Sequence, residues 1–347
     1  MPPAVLNAAL LRDPAQRSVR VIAQARLQRV LEEAARVEVR VSLDRPGSPT
    51  EPGTDATDPE AVHDFRVALR RLRTWLRAFR LYLEDTVRRG PERRLRTLSR
   101  LAGRARDLEV QYLWLIGVRP GPAGDAARWL AEDVNRDQIR ARRALGEGLV
   151  AELANTSAEL AEELQHYRRD TALEEPVYDR MATAMADAVR EATDTLTEDL
   201  GRVVRPAQAP EAHAARISIK RLRYLLDGLG RASRSSANIL PRLIELQHLF
   251  GELHDAQVLH QLVREIRAVP KSGADQARPG ADRPPPRALR ALEALLARRI
   301  ATRFQAVFRA GRSRATRAMF RRLSALVRRL EQAGRGRGTP GRVSPAV

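Results

Sequence analysis

The chain has 347 residues, and its 62 Lys+Arg against 43 Asp+Glu give a formal net charge of +19. That length holds two or three domains or one larger duplicated unit, and a hydrophobic content of 43% supplies real cores, which excludes wholesale disorder. The absence of cysteine excludes disulfides, thiolate zinc sites, iron–sulfur clusters and a cysteine nucleophile.

The first segment, MPPAVLNAALLRDPAQR, lacks a basic start and breaks its apolar run at Arg12-Asp13-Pro14, so it does not read as a signal peptide. No run approaches the roughly 20 apolar residues of a membrane span, and the expected compartment is the cytoplasm. Pro- and Gly-rich breaks fall at 44–59, 119–124, 205–210 and 268–286, with a fifth at 334–347. Between them the chain is rich in Ala, Leu, Arg and Glu at helical spacing. The pattern predicts helices at about 14–43, 59–86, 91–117, 124–170, 176–203, 211–231, 236–267 and 287–333, and no stretch alternates as a strand does. The expected fold class is therefore all-α. Residues 1–13 read as a flexible start, 14–172 and 173–333 as two four-helix units, and 334–347 as a disordered basic tail.

Charge is segregated along this series. Residues 61–110 carry 14 Arg against 6 acids and residues 287–347 carry 16 Arg against 2, whereas 147–200 carry 4 Arg against 14 acids. Such clustering predicts a cationic surface for a polyanion: nucleic acid, an acidic membrane surface or a phosphate polymer. Only Lys220 and Lys271 are lysines. Guanidinium forks suit phosphate oxygens, although a GC-rich genome would produce the same preference.

Two motifs recur in order. HDFRVALRRLR at 63–73 and HAARISIKRLR at 213–223 are 150 residues apart; LAGRARDLEV at 101–110 and LFGELHDAQV at 249–258 are 148 apart. Together they imply a tandem duplication of a four-helix unit. On a helix, His63, Arg66, Arg70, Arg73 and Arg77 fall within roughly 80° of one another, beside an apolar stripe of Phe65, Leu69, Leu72, Leu76 and Phe79. His213, Arg216, Lys220 and Arg223 form the matching ladder, which ends early because Asp227 stands where Arg77 would recur. A solvated arginine face is the plain alternative for either helix alone. A row of like charges kept in both copies costs electrostatic energy that a bound polyanion would offset. Arg93, Arg96, Arg100, Arg104 and Arg106 extend the basic surface along the third helix, and Arg298, Arg299, Arg303, Arg309, Arg312, Arg314, Arg317, Arg321 and Arg322 add a strip on the last.

The six histidines stand at 63, 166, 213, 248, 254 and 260. His248, His254 and His260 are six residues apart, about 240° around a helix, so they share no face and no metal site is predicted. His63 and His213 either donate hydrogen bonds to an anion or satisfy a buried helix N-terminus. Asp107 and Asp255 follow Gly103 and Gly251, glycines expected to permit close helix approach, and are expected to orient an Arg or His across that contact. No phosphate-binding loop, nucleophile elbow, magnesium-binding carboxylate cluster or ExExK strand is present, so neither a catalytic set nor a cofactor is expected.

The paired H-x-x-R-[VI]-x-[LI]-[RK]-R-L-R and G-x-x-x-D segments, with DPEAVH at 58–63 and RDLEV at 106–110, resemble the CHAD family, the conserved histidine α-helical domain, over about residues 14–333. The resemblance implies two four-helix bundles related by a pseudo-twofold around a central basic cavity, binding of inorganic polyphosphate, and association with polyphosphate granules. The implied anion ligands are His63, Arg66, Arg70, Arg73 and Arg77 with His213, Arg216, Lys220, Arg221 and Arg223; Arg96, Arg100, Arg104 and Arg303 join them from the basic strips. Two departures stand out: Ala102-Gly103 replaces the family's frequent Leu-Gly, and the helix around 145–164 is acidic. Polyphosphate offers no base to stack, which suits an aromatic content of 4%. The alternatives are a nonspecific binder of nucleic-acid phosphates, and a polyphosphate-processing enzyme or a regulatory partner of one.

Overall fold

The computed structural model describes residues 5–43, 60–84, 86–165, 179–230, 234–268 and 283–335. These residues form helices throughout: α1 (Ala8–Arg12), α2 (Ala15–Leu43), α3 (Ala61–Ala78), α4 (Arg89–Ile116), α5 (Pro122–Gly148), α6 (Ala154–Gln165), α7 (Met181–Arg202), α8 (Ala209–Asp227), α9 (Arg234–Ala237), α10 (Leu240–Ala268), α11 (Pro286–Arg312) and α12 (Arg314–Arg335). No strand occurs among the described residues, and the fold is all-α.

Local chemistry sets the ends. Asn7 accepts the Leu10 backbone N–H at 2.9 Å and starts α1. Within the stretch expected to be flexible, Leu6 and Leu10 are buried, because α1 packs on α7. Gly121, at φ 127, turns the chain into Pro122 and α5, a conformation that disfavours any side chain.

Three long expected helices are interrupted. Helix α3 stops at Ala78, and a 3₁₀ turn at Arg80–Tyr82 follows it. The fourth segment contains a π turn at Leu149–Leu153, beside Gly148, whose missing side chain admits Leu101 and Leu98 of α4. The last breaks at Ser313: its hydroxyl accepts the Thr316 N–H at 3.1 Å, while Arg242 donates to Ala310 O at 2.7 Å and Ser313 Oγ at 2.9 Å. The single arginine strip expected over 287–333 is therefore split between α11 and α12. The other breaks at 44–59 and 269–282, and the tail from 336 on, lie outside the described residues.

Neighbour relations repeat in order. Helix α2 packs on α3, α3 on α4 and α4 on α5; α7 packs on α8, α8 on α10 and α10 on α11. Contacts between these two series join α2 to α7, α3 to α8, α4 to α10 and α5 to α11. One continuous apolar core runs through both series, with Phe65, Leu69, Leu72 and Trp75 of α3 and Ile219, Leu222, Leu225 and Leu226 of α8 all buried. The two motif helices, α3 and α8, are thereby packed against each other, which is what positions the site.

Candidate anion-binding site

The apolar stripe of α3 faces the core, so the neighbouring face carries its cations to the contact with α8. Arg66 and Arg216, the same position in each motif, are both buried to 9% exposure. Arg66 Nη2 donates to Asp107 Oδ1 of α4 at 2.8 Å. Asp107 thus orients an arginine across a helix contact. Neither glycine marks a close helix approach: a Cβ at Gly103 would meet only Arg66 Nε, at an ordinary 4.0 Å, and one at Gly251 would meet no atom within 4 Å. The Nε–H groups of Arg66 and Arg216 are buried without a protein acceptor.

The electrostatics identify what shares this space. Burial lowers the Arg66 pKa to about 10, with Arg70 and Arg216 adding repulsion against the attraction of Asp107. Lys220 is pushed down to about 6, first by burial and then by Arg70, Arg216 and Arg66. Burial also lowers His213, with Arg216, Lys220 and Arg70 acting in the same direction. Arg66 and Arg70 from α3 therefore feel Arg216, Lys220 and His213 from α8. The neighbouring carboxylates are Asp107 and Asp255, the latter raised by burial and opposed by the attraction of Arg216.

His254 of α10 completes the group. Its ring lies 5.0 Å from that of His213, and burial, then Arg216 and His213, holds its pKa at about 4. As a prospective metal ligand its spacing spoke against it, and the group it joins instead is cationic. Its position in LFGELHDAQV, directly before Asp255, was the available signal; the counterpart in the first motif is Arg106, which presses on His63 from a similar place. Burial is the larger cause of the lowered His63 pKa. Among the described residues no three His, Asp or Glu side chains are grouped to hold a metal ion.

From this centre the first ladder runs outward. Arg73 is lowered by burial and then by Arg96, Arg70 and Arg77, so α3 and α4 share one basic surface. Arg70, Arg73, Arg77, Arg96 and Arg100 have no carboxylate within 4 Å among the described residues, and Arg100 donates only to Thr97 Oγ1 at 3.1 Å. Other expected ligands are engaged elsewhere. Arg221 pairs with Glu191 of α7 at 2.8 Å, Arg104 with Asp137 of α5 at 3.7 Å, and Arg303 with Glu252 of α10 at 3.3 Å. Arg223 donates to Gln247 at 2.9 Å and lines a separate groove of about 690 Å³. Asp227 has a partner of its own, Arg71 of α3, at 3.2 Å. The acidic helix α6 faces α4, where Glu163 accepts from Arg88 at 2.6 Å and Glu159 holds Arg94.

Comparison with known proteins places this arrangement. Among curated proteins no sequence matches the chain. Two solved structures share the fold across 90% of this chain: the crystal structure of the CHAD domain from the plant Ricinus communis, at 22% identity and TM-score 0.63 over 95% of that chain, and PptA from Streptomyces chartreusis, at 15% identity and TM-score 0.57 over all of that chain. The family model described as CHAD domain matches residues 48–264, which include both copies of each motif. The chain belongs to the CHAD domain family.

Proposed function

We propose that this protein binds inorganic polyphosphate, without catalysis, in a basic trough where two four-helix repeats meet. The observation that carries the reading is the convergence of Arg66 and Arg70 with Arg216, like charges brought from separate helices into partly buried space with only Asp107 and Asp255 nearby, beside Lys220, whose charge they suppress until an anion joins them. Such a group is unfavourable by itself, and a polyanion lying along the basic edge of the α3–α8 contact reverses the sign. The unpartnered Nε–H groups of Arg66 and Arg216 supply donors at equivalent positions in each copy. Duplication is supported by the repeated order of helix neighbours, in which the contacts between series join α2 to α7, α3 to α8, α4 to α10 and α5 to α11.

Arg73, Arg77, Arg96 and Arg100 continue the trough along α3 and α4, and His63, His213 and His254 stand at its margin. Arg104, Arg221 and Arg303 exchange a carboxylate partner for the polymer only when it reaches them. A flexible chain of phosphates fits this row better than nucleic acid does, because Phe65 and Trp75, the aromatics of α3, and Phe79 just beyond it are buried in the core with no face left for a base. The same chemistry suits a cytoplasmic protein held at polyphosphate granules, alone or beside a polyphosphate-metabolising enzyme.

Competition tests the substrate class. Long-chain polyphosphate should displace labelled RNA from the protein at physiological salt; RNA that stays bound overturns the reading. Arg66→Glu combined with Arg216→Glu should abolish polyphosphate binding while circular dichroism shows the helices intact, and affinity kept by that variant would mean that another face is used. Phosphate released from polyphosphate by the wild type and lost in His63→Ala would make the protein an enzyme instead.

A further inference from the structure

A second groove, about 840 Å³, lies away from the trough where the end of α4 and the start of α5 meet α11. Its lining combines the apolar Trp114, Leu113, Val118 and Leu295 with Arg119, Arg298, Arg299 and Arg303. No acidic residue lines it. The Arg299 guanidinium already sits over the Trp114 ring, 5.6 Å from its centroid, so the indole presents a face at the cationic edge. Arg303 reaches Glu252 of α10 at 3.3 Å, and Arg119 and Arg298 have no hydrogen-bond or ion-pair partner for their side chains among the described residues.

The groove of about 690 Å³ differs in this respect. There Arg71 is held by Asp227, Arg29 by Glu32, and Arg26 by the carbonyls of Arg71 and Tyr224. Its cations are spent on the fold, whereas Arg119 and Arg298 beside Trp114 are not. A bare phosphate polymer would use the arginines and leave the apolar side chains wet. A ligand with both a flat ring and phosphates uses both kinds of lining, and the volume is that of a small-molecule site.

We propose that this groove is a nucleoside phosphate site, with the base against Trp114 and the phosphates on Arg298, Arg299 and Arg119. The ring gains dispersion and stacking against the indole and displaces Arg299 toward the phosphates, while the unpaired guanidiniums supply bidentate donors.

The test uses the full chain carrying Arg66→Glu and Arg216→Glu, so that the trough does not contribute. Adenosine triphosphate, tripolyphosphate and adenosine are titrated by calorimetry. Adenosine triphosphate should bind roughly ten-fold more tightly than either fragment, the increment expected of one base stacked on an aromatic ring. Trp114→Leu should bring it down to the level of tripolyphosphate, and Arg298→Glu, on the exposed side of α11, should weaken both without disturbing the core. Equal binding of adenosine triphosphate and tripolyphosphate overturns the proposal, as does a preference that survives Trp114→Leu, or one unaffected by Arg298→Glu if the tryptophan variant fails to fold. Tighter binding of an acidic peptide with an aromatic side chain overturns it too. Long-chain polyphosphate titrated into the wild type and into this double variant measures the trough as the difference between the two, so either reading can fail without the other.

Discussion

Lys220 is one of two lysines in a chain with 62 basic residues, and its surroundings make its charge conditional. Burial and three arginines hold its pKa at about 6 in the free protein, against an ordinary value of 10.5, and His254 is held at about 4 by burial, Arg216 and His213. A phosphate polymer placed among them favours the protonated forms and raises both values. The bound state therefore takes up protons. Affinity should be greatest in acid and fall as pH rises through the values of the complex, and binding near neutral pH should show proton uptake in calorimetry across buffers of different ionisation enthalpy. Lys220→Arg, permanently charged, should flatten that dependence; an unchanged pH profile would remove Lys220 from the site. For the free protein the sign is opposite: above about 6 the unfolded chain still binds a proton that the folded Lys220 has lost, so stability should increase with pH there. A melting temperature followed between pH 6 and 8, with and without polyphosphate, checks both signs.

Helices α3 and α8 show how an element can be legible while its neighbours are not. Their ladders were readable because helical geometry turns a spacing of three and four residues into a face, and because the same face appears twice. Which rungs converge depended on the crossing of the two helices. Arg66, Arg70, Arg216 and Lys220 lie at the crossing, while Arg223 continues into the separate groove and Arg221 turns to Glu191 of α7. The crossing is held by Arg26 of α2, which donates to Arg71 O at 2.8 Å and Tyr224 O at 3.3 Å and lies 4.5 Å over the Trp75 ring. Burial lowers its pKa to about 9, yet nothing in the sequence distinguishes it from the other arginines. Arg26→Ala should destabilise the protein by about 3 kcal/mol, through a cavity and lost hydrogen bonds to two helices. Arg26→Met should cost less, since it keeps most of the volume and removes a buried charge. Denaturant melts of both variants provide the measurement.

At the scale of the whole molecule, the net charge of +19 is less informative than its partition. The acids of α6 neutralise Arg88 and Arg94 on one side of α4, while Arg96 and Arg100 remain without a carboxylate on that helix. Packing thus leaves one side of α4 basic and neutralises the other. Binding through four to six of the trough's cations should make log K fall linearly with log salt with a slope of about −3 to −4, as for a flexible single strand; a flat salt dependence would contradict a phosphate-backbone interaction. The break at Ser313 belongs to the same scale. There Thr316 Oγ1 and Arg242, arriving from α10, both donate to Ala310 O at 2.7 Å and end α11, while the Ser313 hydroxyl caps the start of α12.

Periodicity, punctuation and repetition in the chain by itself determined that the fold is all-α, which motifs recur, and which side chains share a helix face, because each of these depends on short-range geometry. Packing alone decided which faces meet. Arg66 reaches Asp107 across 41 residues of sequence, His254 comes beside His213, and Arg26 straddles both motif helices. Those contacts are set by burial of the apolar stripes, which brings distant charges together without any local signal in the residues that carry them.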